Sequence, residues 1–327
     1  MVSRLRRELS PGWRALRDSF FVKVAVLGRS EMLYRTAEKI LEENHEIVGI
    51  VSAKESPEDV RTVEDFKALA GSLNVPFLHA AKLKNHHDQL RSWGADIGIS
   101  INFPTVLAEP TLSIFPFGVL NVHGGDLPRY RGNACQAWAI INGESRVGLC
   151  VHKMEGGSLD SGDIISRARR EIDLGTKITD ILEWMGECAP DLVSRALARL
   201  DKNSDFILEK QSKFSQDALR CYPRLPEDGK ILWTDSAVTI LRLINAHNRP
   251  YSGAYCEFSG SDVKIWDADL EEDGEVFLAT PGQVLKILED SVIVACGDGK
   301  LRIREIAIGS EVINPASLVK SLRQRFR

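Results

Sequence analysis

Beginning at Phe21, short apolar β-rich runs alternate with stretches of helical period, and this alternation limits the fold more than any other feature. Phe21-Val22-Lys23-Val24-Ala25-Val26-Leu27 closes at Gly28, residues 31–43 repeat apolar side chains at helical spacing, and residues 46–51 read as a second strand. The pattern continues with a helix over 60–73, a strand over 76–79, a helix over 85–93 and a strand over 95–101. Strands separated by helices pair in parallel, because each crossover must cover a face of the sheet and does so right-handedly. The expectation is an α/β fold with a mostly parallel sheet of Rossmann type, and ligands beyond the carboxyl ends of its strands.

The remaining segments divide the chain. Residues 21–205 read as one unit, ending in strands over 147–154 and 163–172 and a long helix over 176–200. Residues 206–229 are polar and turn-rich, as a connection is. Residues 230–327 read as a smaller β-rich unit, with one helix over 236–246 and strands near 253–258, 262–268, 283–289, 291–295 and 300–308. Residues 1–20 carry Arg4, Arg6, Arg7, Arg14 and Arg17 around a few apolar residues and read as a solvated extension.

Chemistry concentrates where one apolar run ends. In Gly118-Val119-Leu120-Asn121-Val122-His123-Gly124-Gly125-Asp126-Leu127-Pro128-Arg129-Tyr130-Arg131-Gly132, an amide and an imidazole stand two residues apart and so share one face of a strand. Farther on, Leu159-Asp160-Ser161-Gly162-Asp163 offers a carboxylate in a loop. An amide to polarise a carbonyl, an imidazole to take a proton and an acid to orient it are the equipment of acyl transfer without a covalent enzyme intermediate. The loop Gly28-Arg29-Ser30-Glu31 has a single glycine, so the phosphate cradle of a dinucleotide site is not expected. The other histidines and the six scattered cysteines lack metal-ligand spacing, so no metal is expected, and the thiols read as reduced in the cytoplasm. No run reaches the ~18 apolar residues of a membrane span.

The two motifs, in this order, resemble the folate-dependent formyltransferases, the family that includes methionyl-tRNA formyltransferase, glycinamide ribonucleotide transformylase and the sugar-nucleotide N-formyltransferases. The likeness runs from Val22 to Ile172 and continues more weakly through Tyr222-Pro223-Arg224-Leu225-Pro226-Glu227-Asp228-Gly229-Lys230 and Arg249-Pro250-Tyr251-Ser252-Gly253-Ala254-Tyr255. The resemblance implies a formyltransferase fold with a β-rich C-terminal domain, a catalytic trio of Asn121, His123 and Asp160, and 10-formyltetrahydrofolate as formyl donor. It places the donor against Ile101, Phe103, Leu159, Ser161, Gly162 and Asp163, and implies a homodimer.

Within that family, Trp138 and the Asn142-Gly143-Glu144 ending, with Pro226-Glu227-Asp228-Gly229-Lys230 and Arg249-Pro250-Tyr251 later, look like the sugar-nucleotide branch, while Gly125-Asp126 departs from the family motif and sets a carboxylate that would repel a phosphate backbone yet suit an ammonium or sugar hydroxyl. The implied acceptor is the amino group of a nucleotide-linked deoxyamino sugar, such as a GDP- or dTDP-4-amino-4,6-dideoxyhexose made for lipopolysaccharide O-antigen. Gly125, Asp126, Arg129, Arg131, Tyr222 and Tyr251 are its candidate contacts. A net charge of −4 supplies no footprint for nucleic acid, which argues against methionyl-tRNA as the acceptor. A catalytically silent folate or nucleotide-sugar binding module is a third reading, against which all three trio residues stand.

Overall fold

The computed structural model describes residues 21–327, so the expectation for residues 1–20 lies outside the described residues. In chain order the elements are β1 (Lys23–Gly28), α1 (Glu31–Glu42), β2 (Glu46–Ser52), α2 (Val63–Leu73), β3 (Phe77–His79), α3 (His87–Ser92), β4 (Ile97–Ile101), α4 (Glu109–Leu112), β5 (Val119–His123), β6 (Arg131–Gly132), α5 (Cys135–Ile141), β7 (Arg146–Lys153), β8 (Ile164–Glu171), α6 (Ile178–Lys202), β9 (Arg220–Cys221), α7 (Ala237–Ala246), β10 (Ala254–Phe258), β11 (Ser261–Leu270), β12 (Val284–Ile287), β13 (Val292–Ala295), β14 (Lys300–Ile308), β15 (Glu311–Ile313) and α8 (Pro315–Leu318).

Seven strands form the first sheet, in the order β3-β2-β1-β4-β5-β7-β8. β1 to β5 run parallel, whereas β7 pairs antiparallel with β5 and β8 antiparallel with β7. Both faces are covered, which explains why β1 is a continuous apolar run. Val24 and Val26 meet the helices α1 and α6, while Ala25 and Leu27 face the cluster holding Leu90, Trp93 and Phe115. Leu33, Ala37 and Ile40 form the buried stripe of α1, and each large side chain buried there contributes ~1.5–3 kcal/mol. The long helix α6 continues through Pro190 and packs beside α1.

The second sheet is antiparallel, in the order β10-β11-β14-β13-β12, with β15 paired to β14. Its core gathers Trp233, Ile265, Leu301 and Phe326 under α7, and Phe258 stacks on Phe326 at 4.4 Å between centroids. The fold class is that expected: a mostly parallel α/β sheet with a separate β-rich sheet after it. A parallel pairing of Arg131 with Arg220 and Gly132 with Cys221, through β6 and β9, stitches the segment between the sheets onto the loop that follows β5. This stitch is two residues long on each side and has no periodic signal in the sequence.

Candidate active site

At the carboxyl end of β5, Asn121 and His123 enter a cleft of about 270 Å³ whose walls include Phe103, Val106, Met154, Leu159, Gly132 and Gln136. Asp160 closes it from the loop between β7 and β8, where its backbone adopts a left-handed φ of 50°. Such a conformation is uncommon for a residue with a side chain, so the surroundings must hold it. Gly162 makes the turn possible, since a Cβ there would lie 1.7 Å from the Lys153 carbonyl oxygen.

The Asp160 carboxylate is 7% exposed and sits between two imidazoles. Its Oδ2 is 3.4 Å from His123 Nδ1 and accepts the Gly132 N–H at 2.9 Å, while its Oδ1 is 3.4 Å from His152 Nε2. Burial opposes ionisation, but the two imidazoles and the Gly132 amide outweigh it and hold the carboxyl well below the usual carboxylate range. His123 Nε2 donates to the Tyr130 carbonyl at 2.6 Å, and its Nδ1 faces Asp160. Asn121 Nδ2 lies 3.2 Å from His152 Nε2, and His152 Nδ1 lies 3.2 Å from the Lys153 carbonyl. His152 Nε2 thus lies within reach of both the Asn121 amide and the Asp160 carboxylate.

The three residues expected to act together are thus adjacent, and Phe103 and Leu159 line the same cleft. The other expected contacts lie elsewhere. Ile101 is fully buried in the sheet core, Ser161 hydrogen-bonds Glu155, and Asp163 accepts the Gln211 backbone N–H. Gly125 lies under the His123 ring, where its missing Cβ leaves room for the bond to Tyr130. Asp126 lies against Gly148 of β7, within 3.3 Å of both Arg146 and Arg167 and 3.0 Å of Arg169. Arg129 pairs with Glu144, Arg131 is buried against Gln211, and Tyr251 packs on the first core. Tyr222 is 68% exposed, with its carbonyl taken by Trp138 Nε1.

Asn102 lines the cleft from the loop after β4 and Gln136 from the first turn of α5, whereas His152 and Ser100 belong to it and carried no sequence signal of it. His152 arrives through the antiparallel register that sets it opposite Asn121, information that strand pairing alone supplies. Among the described residues, no group of three or more His, Cys, Asp or Glu side chains is arranged to hold a metal ion. No helix of the described residues is long and apolar enough to cross a membrane.

Comparison with known proteins agrees with this geometry. The family model described as "Formyl transferase" matches residues 22–197, and "Formyl transferase, C-terminal domain" matches residues 225–323. A methionyl-tRNA formyltransferase of Geobacter sulfurreducens is 27% identical over 295 residues, which cover 88% of this chain and 89% of the relative. The crystal structure of an N-formyltransferase from Helicobacter canadensis, in complex with folinic acid and dTDP-3-aminofucose, superposes with a TM-score of 0.61 at 17% identity, covering 86% of this chain and 99% of that one. HypX from Aquifex aeolicus in complex with tetrahydrofolic acid superposes with a TM-score of 0.63 at 18% identity over 92% of this chain, which spans 47% of that longer protein. With both family models matched in order and an amide, an imidazole and a carboxylate gathered at the end of β5, the chain belongs to the formyl transferase family and is an N-formyltransferase.

Proposed function

We propose that the cleft transfers a formyl group from 10-formyltetrahydrofolate to the amino group of a nucleotide-linked deoxyamino sugar, with Asn121, His123 and Asp160 as the reacting trio. The folate supplies an activated formyl carbonyl. The cleft fits such a donor: Phe103, Val106, Met154 and Leu159 offer apolar walls to a flat ring, and the buried Ser100 Oγ has no partner within the protein. Asn121 donates its amide hydrogen to the oxygen on which negative charge develops, a contribution of ~3–4 kcal/mol in comparable sites. His123 takes the proton of the attacking amine and returns it to the departing folate nitrogen, and Asp160, 3.4 Å from its Nδ1, stabilises the imidazolium between the two transfers.

The net charge of −4 carries the choice of acceptor, since it supplies little to hold a polyanion. Asn102, in the cleft wall, donates to Ser30 at 3.1 Å, and the neighbouring Arg29 is taken up by Asp59 at 3.7 Å and the Lys54 carbonyl at 3.1 Å. Glu55, Glu58 and Asp59 share this loop after β2 with Lys54 and Arg61, so it offers no cationic patch for a tRNA backbone. The volume of the cleft also suits a small acceptor. The Helicobacter canadensis structure, with its folinic acid and dTDP-3-aminofucose, shows that this fold accommodates both ligand types in a relative.

A second reading, formylation of methionyl-tRNA, is favoured by the curated relatives, which share 27% identity over nearly their whole length. Incubation with the donor and a panel of dTDP-, GDP- and UDP-linked amino sugars, with methionyl-tRNA alongside, separates the two. Conversion of at least one sugar with a shallow salt dependence supports the proposal. Conversion of methionyl-tRNA alone, with affinity falling steeply as salt rises, refutes it.

A further inference from the structure

We propose that Gln211, in the segment that connects the two sheets, is a positioning residue for Asp160. Gln211 is 4% exposed although it belongs to an irregular stretch. Its Nε2 donates to the carbonyls of Asp160 at 3.0 Å and Gly162 at 2.6 Å, and its Oε1 accepts from Arg131 Nη2 at 2.8 Å. Its backbone N–H donates to Asp163 Oδ1 at 2.9 Å. The residues beside it extend the grip, since the Ser212 carbonyl accepts from Arg131 at 3.1 Å and Lys213 Nζ reaches the Ser161 carbonyl at 3.4 Å and the Glu155 carboxylate at 2.7 Å.

Only a primary amide meets this set of partners. Two carbonyls require two hydrogens on one nitrogen, and the guanidinium requires an acceptor on the same carbon. A glutamate of the same volume would set oxygen against two carbonyl oxygens, and a methionine would fill the space with no donor. The clasp joins the two loops whose contact defines the site: Arg131 precedes Gly132, whose N–H holds the Asp160 carboxylate, and Asp160 occupies its left-handed conformation between the two imidazoles. The segment that tethers the second sheet therefore also sets the aim of the orienting acid in the first. A misplacement of ~1 Å at a reacting group costs about 10²-fold in rate, so the clasp is expected to act on turnover more than on binding.

The inference rests on the reading of Asp160 as part of the reacting site. Its test uses the full chain carrying Gln211→Met or Gln211→Glu, compared with wild type and Asp160→Ala. The measurements are thermal unfolding, kcat and KM for 10-formyltetrahydrofolate, and the imidazole ¹⁵N signals of His123 and His152. The expected result for Gln211→Met is a fall in kcat of roughly 10- to 100-fold with KM within about twofold, and imidazole signals moved toward those of Asp160→Ala. If that variant does not fold, Gln211→Glu, which keeps the volume and the Arg131 partner, is read in the same way. Unchanged imidazole signals, a raised KM with normal kcat, or lowered thermal stability with normal kcat would overturn the proposal, as would failure of both variants to fold. A wild-type chain without formyl transfer would sink the functional reading instead, and the imidazole signals would still decide on Gln211.

Discussion

Substitution of Gly125 by alanine tests the geometry under His123 with the smallest possible change. A Cβ at this position would lie 2.1 Å from the Tyr130 carbonyl oxygen and 2.6 Å from His123 Nε2. To reach even 3.0 Å the carbonyl must retreat by about 0.9 Å, and the ring must move as well. That carbonyl now accepts from His123 at 2.6 Å and from Cys135 Sγ at 3.0 Å, so the shift breaks the bond that holds the imidazole. Two stability effects oppose each other: alanine reduces unfolded-chain entropy by ~0.4–1 kcal/mol, while spoiling a buried hydrogen bond costs ~1–3 kcal/mol. The net loss is ~1–2 kcal/mol, which a domain of this size tolerates. Catalysis has no such compensation, and displacement of a reacting group by nearly 1 Å costs about 10²-fold in kcat. Thermal unfolding followed by kcat at saturating donor measures both quantities on one preparation. A folded Gly125→Ala variant with kcat within twofold of wild type would show that the His123 to Tyr130 contact has no part in turnover.

Two further outcomes follow from the charges. Asp160→Asn keeps an acceptor for the Gly132 amide but removes the charge 3.4 Å from His123 Nδ1. At an effective dielectric constant of ~20 that charge is worth up to about 5 kcal/mol to an imidazolium, part of it offset by desolvation. A fall in kcat of ~10²–10⁴ is expected, and single-turnover rates near wild type would exclude Asp160 from the mechanism. His247 tests stability: burial, aided by the nearby Arg224 charge, lowers its pKa to about 4, whereas an unfolded histidine titrates near 6.5. The unfolded chain therefore binds the extra proton in that window, so the contribution of His247 is complete above pH ~6.5 and declines by roughly 2–3 kcal/mol as pH falls to about 4. Denaturation midpoints at pH 7 and pH 4.5 are expected to differ less in His247→Gln than in wild type, and equal differences would refute the assignment.

Asn121 and His123 were legible because an apolar run announces the strand and its period of two puts both side chains on one face. Asp160 was legible from the turn residues around it, although its left-handed backbone was not. His152 was not legible, since it reaches the site only through the antiparallel pairing of β7 with β5, and the preceding alternation of strand and helix gave no warning that the sheet changes direction. Asp126 illustrates the converse. A carboxylate three residues beyond His123 reads as a site residue, yet Arg167 and Arg169 on β8 and Arg146 on β7 hold it outside the cleft lining. Gln211 and the pairing of β6 with β9 depend on contacts between distant segments, for which no local pattern exists.

The central claim is that formyl transfer takes place at the end of β5. The measurement that tests it most directly follows an isotopic label from the formyl group of 10-formyltetrahydrofolate to the amine of a nucleotide-linked amino sugar, with wild type and His123→Ala compared after both are shown to fold. Labelled N-formyl sugar is expected with wild type, and a rate ~10²–10⁴ lower with the variant. Equal transfer by the two proteins, or no label on any amino sugar under conditions where methionyl-tRNA is labelled, would contradict the claim.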